Sequence, residues 1–199
     1  MRCNKLFYNC PFIYKIDCSN FDCSQIIDCS EMFSFDEIAS TSLIEINLGK
    51  LDFALSNNFS HMFRGCNNLE KLDVSYLNTN NSKSFQEMFA FCSKLKEINV
   101  SKFKTTNCEN IRYMFYQCCS LESIDMLNWD MKNINNIDYL FNYCSELKKI
   151  KMNFNNNKNL SFKKIFEGLP EGGSFVWKKG TNCNELLKLL PVSWNRTQE

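Results

Sequence analysis

A phenylalanine returns at a constant spacing of 26, from Phe63 through Phe89 and Phe115 to Phe141, and once more 25 further on at Phe166. Other positions keep the same register. Three residues after each of the first four stand Cys66, Cys92, Cys118 and Cys144, and six after stand Leu69, Leu95, Leu121 and Leu147. Nine after come Leu72, Ile98, Ile124 and Ile150; eleven after come Val74, Val100, Met126 and Met152. Even the residue before each phenylalanine stays apolar: Met62, Met88, Met114, Leu140, Ile165. Self-similarity at this period predicts a tandem array in which no unit buries its apolar face alone and stacked neighbours share one core.

The register runs backward to Met32 and Phe33, which precede Met62 and Phe63 by 30 positions instead of 26. The second unit therefore carries a four-residue insertion within SFDEIASTSLIEINL. One full period earlier, Phe7 and Cys10 repeat the Phe63 and Cys66 pair in a divergent first unit. Segment 1–167 thus reads as six tandem repeats of this period, and 168–199 as a C-terminal degenerate repeat and cap. In the cap, Phe175, Val176 and Trp177 read as a last short strand. Asn184 to Leu190 fits one or two helical turns ended by Pro191, with Trp177 and Trp194 as a lid over the final unit.

Within a unit, LEKLDVSYL (69–77) alternates with the period of a short strand, Leu72 and Val74 inward, Lys71, Asp73 and Ser75 outward. NTNNSKS then turns the chain. Phe85, Met88, Phe89 and Cys92 follow at the spacing of a short helix with one apolar face, and Ser84 before Glu87 resembles a capping pair for it. The expected fold is an α/β solenoid, a curved array of short parallel strands and short helices. Phe63, Cys66, Leu69, Phe89, Cys92, Leu95, Phe115, Cys118, Leu121, Phe141, Cys144 and Leu147 form its structural columns.

Twelve cysteines in a small chain would ordinarily suggest disulfides, but four occupy one column, where a small, apolar, tightly stacking side chain is wanted. They read as reduced packing residues. Cys18, Cys23 and Cys29 lack the compact spacing of zinc modules and have no histidine near in sequence, so no metal and no cofactor is expected. With 23 basic and 22 acidic residues and no lysine or arginine column over adjacent units, the chain is not read as a nucleic-acid binder. The start, MRCNKLFYNC, lacks the apolar core of a signal peptide, and no transmembrane run follows.

The signature MFRGCNNLEKLDVSYLNT, MFAFCSKLKEINVSKFKT and MFYQCCSLESIDMLNWD resembles the leucine-rich-repeat superfamily. It is more closely similar to the bacterial surface-protein repeat of the same period that is abundant in Mycoplasma and Listeria surface proteins and lipoproteins. The resemblance covers nearly the whole chain. It implies a curved leucine-rich-type array, a role in adhesion or recognition, and a cell-surface location. The absent signal segment points instead to the cytoplasm.

Function is then sought on the outward columns. On the strands these run Asp17, Asn47, Asp73, Asn99, Asp125, Lys151 and Lys15, Glu45, Lys71, Glu97, Ser123, Lys149, with Ser19, Gly49, Ser75, Ser101 beyond. The first four of the second column alternate in sign and should pair across units. Beside the expected helices, Tyr113, Tyr116, Tyr139 and Tyr143 cluster in the fifth and sixth units with Trp129 and Trp177 toward the same end, as interface aromatics do. His61, the lone histidine, reads as a solvated helix residue, and no phosphate loop, zinc-protease pair or nucleophile elbow is present. The expectation is a non-enzymatic module binding a partner protein through Lys71, Asp73, Ser75, Glu97, Asn99, Ser101 and Asp125, or through Tyr113, Tyr139 and Tyr143. The alternatives are a structural spacer or display segment of a longer surface protein, or an intracellular inhibitor or decoy.

Overall fold

A computed structural model describes residues 2–36, 41–49, 51–154, 159–179, 181 and 183–199. Of the stretch 34–48 within which the second unit's insertion is expected, residues 37–40 lie outside the described residues. Short parallel strands form two sheets. One pairs β1 (Lys15–Asp17) with β2 (Glu45–Asn47). The other runs in order through β3 (Ser123–Met126), β4 (Lys149–Met152), β5 (Ser174–Trp177) and β6 (Asn195–Gln198), every neighbour parallel. Between the two sheets, on the strand side, the third and fourth units meet through the parallel bridge Lys71 to Glu97 rather than through full strands. Alternation does what the sequence implies: in β3 Ile124 and Met126 are buried while Ser123 and Asp125 face out.

Register is equally strict on the far side. Phe7, Phe33, Phe63, Phe89, Phe115, Phe141 and Phe166 form a ring stack with successive centroids 5.4–6.3 Å apart and planes within 12°. All twelve column residues from Phe63 to Leu147 are at most 1% exposed. The strands do not close on themselves, and the buried residues of successive units form one continuous core, consistent with a solenoid-like arrangement.

The expected helices are not there. The only α-helix among the described residues is α1 (Asn184–Leu187), in the cap. The segment around each phenylalanine is instead a run of turns with one or two left-handed residues, such as Glu87 (φ 54°) and Phe91 (φ 63°), Tyr113 (57°) and Gln117 (55°), Tyr139 (57°) and Tyr143 (58°). Its N–H groups alternate in direction. Those of His61, Phe63 and Gly65 donate to Gln86, Met88 and Ala90 of the next unit. Those of Met62, Arg64 and Cys66 donate three residues back. A helix this short is marginal in water, whereas cross-unit bonding satisfies half the donors at once and repeats in every layer. None of the left-handed positions carries a β-branched residue, which would be strained there. Ser84 therefore caps no helix: its hydroxyl accepts from the Gln86 N–H, and Glu87 reaches back to the preceding unit.

The corners have a recurrent chemistry. The carboxyl or amide oxygens of Asp17, Asn47, Asp73, Asn99 and Asp125 each accept the N–H two residues on, ending the strand segment. Asp28, Asn58, Asn110 and Asn136 do the same before the phenylalanine turn, and Asp22, Asp52, Asn78 and Asp130 at a third corner. Such side-chain turns explain the asparagine and aspartate bias without any ligand.

At the C-terminal end Phe166 meets Phe175 edge-on at 5.7 Å, and Trp194 is buried, its Nε1–H donating to the Pro170 carbonyl at 2.9 Å. The indole lies so close to Gly173 that a Cβ there would approach it to 2.6 Å, which makes glycine obligatory. Strand β6 has no counterpart in the sequence expectation; its polar, exposed residues carry no strand alternation.

Candidate functional site

The strand face holds the first candidate. Lys71, Asp73, Glu97, Asn99 and Asp125 are exposed, and Ser75 and Ser101 are half-buried beside them. Two adjoining open grooves cross it. One, of about 470 Å³, is lined by Lys71, Asp73, Glu97, Asn99 and Ser123 with Leu72 and Ile98 at its floor. The second, of about 290 Å³, continues from Ile98, Asn99 and Ser123 over Asp125 to Lys149 and Lys151. Sharing three residues, they make one shallow trough across four units.

The charges in this trough are partly spent within the chain. Lys71 pairs with Glu97 at 3.8 Å and Lys151 reaches Glu199 of the cap at 3.5 Å; outside the trough Lys15 pairs with Glu45 at 2.6 Å, so both cross-unit pairs that sign alternation implies within its first four members are made. Such exposed pairs contribute about 0–1 kcal/mol. The Asp73 carboxylate is held below its usual range by the hydroxyl and N–H of Ser75. Its corner role is structural first, and only the oxygen not engaged there is open to a partner.

The second candidate is an aromatic ledge at the left-handed turns. Tyr113 and Tyr139 stack at 4.4 Å, and Tyr116 stands edge-on to Tyr113 (5.2 Å), Phe91 (5.1 Å) and Tyr143 (6.3 Å). The Arg64 and Arg112 guanidiniums lie over Phe91 (4.9 Å) and Tyr113 (4.7 Å). The positive φ at Tyr113, Tyr139 and Tyr143 explains why these rings share one surface. Most are half-buried by one another; Tyr143 is 47% exposed. Trp129 does not join them. It lies in the core against Phe85 and Phe103, donating its Nε1–H to the Val100 carbonyl at 3.0 Å. Its position continues the Leu51, Leu77, Phe103 column, and that alignment is the signal for burial.

His61, far from a solvated helix, is half-buried in a turn with Nδ1 3.4 Å from Glu87, whose carboxylate also takes the Arg64 Nε–H at 2.9 Å. Burial pushes the Glu87 carboxyl up, but His61, Arg64 and Gln86 outweigh it and hold it down to about 2 from an ordinary 4.5. Because the folded value lies below the unfolded one, this stabilisation is complete above about pH 4.5 and disappears as pH falls toward 2. Solvent screens the site, so its worth is on the order of 1 kcal/mol. Glu87→Gln should therefore lower stability at pH 7 and flatten its fall between pH 4.5 and 2, read from urea midpoints. An unchanged acid limb would refute the assignment.

A third surface has no place in the sequence expectations. An open polar groove of about 670 Å³ runs along Asn57, Asn81, Asn107 and Asn133 with Lys83, Glu109 and Asn135. Asn81, Asn107 and Asn133 donate their amides to the carbonyls of Ala54, Asn80 and Thr106 in the preceding unit, so the ladder ties units together. Among the described residues no three metal-ligating side chains converge, and no helix is long and apolar enough to cross a membrane. Cys18, Cys23 and Cys29 are buried packing residues.

In comparison with known proteins, a family model described as "Mycoplasma protein of unknown function, DUF285" matches residues 1–98 and 57–171. No curated protein and no solved structure matches.

Proposed function

The chain belongs to the DUF285 family of Mycoplasma proteins, a repeat-containing family of unknown function, and we propose that it is a non-catalytic repeat module that recognises a partner protein through its strand face. The observation that carries this reading is the trough from Lys71 to Lys151, continuous over four units, with an apolar floor and charged rims. We infer that this side is the concave face of a curved array of the leucine-rich type, and that the ledge from Tyr113 to Tyr143 supports the contact from the flank. No constellation of nucleophile, base and oxyanion donors on these surfaces argues for catalysis.

One observation favours the spacer reading. Asp73, Asn99 and Asp125 each spend an oxygen on their own backbone, which leaves the face less to offer. The test separates the two. Cross-linking capture is run with the native chain, with a strand-face variant (Glu97→Lys, Lys149→Glu), and with a control variant in the asparagine groove (Lys83→Glu, Glu109→Lys). A partner held by native and control chains but lost at least tenfold by the strand-face variant is expected. Identical capture by all three would leave only the spacer role.

A further inference from the structure

One outward column of the strand side runs Lys15, Glu45, Lys71, Glu97, Ser123 and Lys149. Its first four members neutralise one another in cross-unit pairs, Lys15 with Glu45 and Lys71 with Glu97. The pattern then breaks. In register with Lys149 stand Ser123 on one side and Ser174 on the other, so neither neighbouring strand offers it a carboxylate. Lys149 and Ser123 are exposed and Ser174 is half-buried. The lysines nearest in sequence are taken: Lys148 pairs with Glu146 at 3.7 Å and Lys151 with Glu199 at 3.5 Å. Among the described residues Lys149 makes no ion pair, and the hydroxyls of Ser123 and Ser174 make no hydrogen bond. One ammonium is left unmatched in a column that otherwise pairs.

Its surroundings limit what can match it. Paired parallel strands lie about 4.8 Å apart, so an oxygen anion set over the Lys149 ammonium has a hydroxyl donor within reach on either side. The place opens onto the trough, where Ile98 and Ile124 line the same groove. Asp125 lines that groove too, and the Glu199 carboxylate stands over Lys151. A nucleic-acid backbone or other polyanion laid along the trough would meet both carboxylates, and like charges so placed repel. A single carboxylate on an otherwise apolar segment avoids them.

Given recognition through the strand face, on which this rests, we propose that Lys149, flanked by Ser123 and Ser174, is the docking point for an acidic side chain of the partner protein. That side chain is carried on an extended segment whose apolar residues lie on Ile98 and Ile124. Because the pairs in the earlier units leave no net charge along their part of the column, the unmatched ammonium fixes where along the trough the acid sits.

The probes are labelled peptides of alternating glutamate and valine, with glutamine and lysine counterparts, read by fluorescence anisotropy on the intact chain. The glutamate peptide should bind about fivefold more tightly than the glutamine one, the upper worth of one exposed ion pair, and high salt should erase the difference. Lys149→Ser, which copies the flanking residues, should make the two peptides equal, and Lys149→Glu should turn the preference to the lysine peptide. Lys132→Ser, at an exposed lysine of another corner, should change nothing. No preference for glutamate over glutamine in the native chain, or a preference that survives Lys149→Ser, would overturn the proposal. Capture from the preceding experiment separates it from the reading beneath it. A partner lost by the strand-face variant yet held in full by Lys149→Ser would overturn the acid site alone. Identical capture by every variant, with a glutamate preference that still needs Lys149, would overturn partner recognition by the face and leave the acid site standing.

Discussion

Phe89→Ala should destabilise the chain by about 3–5 kcal/mol, the range for truncating a fully buried aromatic. Phe89 is wholly buried, with Phe63 on one face at 5.7 Å and Phe115 on the other at 5.6 Å. Truncation removes both ring contacts and leaves a void that flanking layers cannot readily fill, because their backbones are held by the N–H of Phe63 donating to the Met88 carbonyl and that of Phe115 to the Leu140 carbonyl. In a stack where each layer touches only its neighbours, a central loss also weakens the coupling between the two halves. Phe7→Ala, at the half-open end, should cost less, and Tyr76→Ala, at a residue 59% exposed, close to nothing. Urea unfolding of the three variants checks the order. Equal costs at Phe7 and Phe89 would mean that the rings do not act as a stack.

That order can be written down from the spacing of phenylalanines because a repeat reports its own interior. Phe63, Cys66 and Leu69 recur for one reason, that one residue per layer must fill the same place, and the structure buries each of them. Secondary structure is less legible. Phe85, Met88, Phe89 and Cys92 have helical spacing, yet turns with left-handed residues present the same face to the core. What decides between them is the direction of the N–H groups, which apolar periodicity does not encode. A clue lies in the absence of valine, isoleucine and threonine at the positions of Glu87, Tyr113, Tyr139, Phe91 and Gln117, where φ is positive.

The outward columns are the hardest to read. An aspartate recurring beside a strand looks alike whether it awaits a partner or accepts its own chain's N–H, as Asp73 does from Ser75. The serine or glycine two residues on, in Ser19, Gly49, Ser75 and Ser101, is the residue pattern that distinguishes them. The trough itself depends on how far successive layers curve, and that is a property of the stack rather than of any one unit.

Thiol labelling of the native chain should separate the part-exposed cysteines from those of the core column by at least about a thousandfold in rate. All twelve cysteines are free, three of them (Cys3, Cys10, Cys119) part-exposed and nine buried. Two effects protect the buried group. Burial pushes the Cys92 thiol from 9 up to about 12 and carries Cys66 and Cys118 well above the ordinary value, so the reactive thiolate is scarcer by about three orders of magnitude at Cys92. Access is the stronger of the two: Cys66, Cys118 and Cys144 are fully covered, and a reagent reaches them only when layers part, an opening whose cost approaches that of global unfolding. The S–H of Cys92 donates to the Phe63 carbonyl at 3.1 Å and that of Cys144 to Phe115 at 3.0 Å, so each thiol both fills its layer and ties it to the one before. A timed reaction with an aromatic disulfide reagent, mapped by mass spectrometry, should mark Cys3, Cys10 and Cys119 first. Cys183, in the cap, should follow as local fraying exposes it, and the column cysteines should react last and together. In denaturant all twelve should react at once. If Cys92 or Cys118 were labelled in the native chain as fast as Cys119, the cysteines could not be the seam that binds one layer to the next.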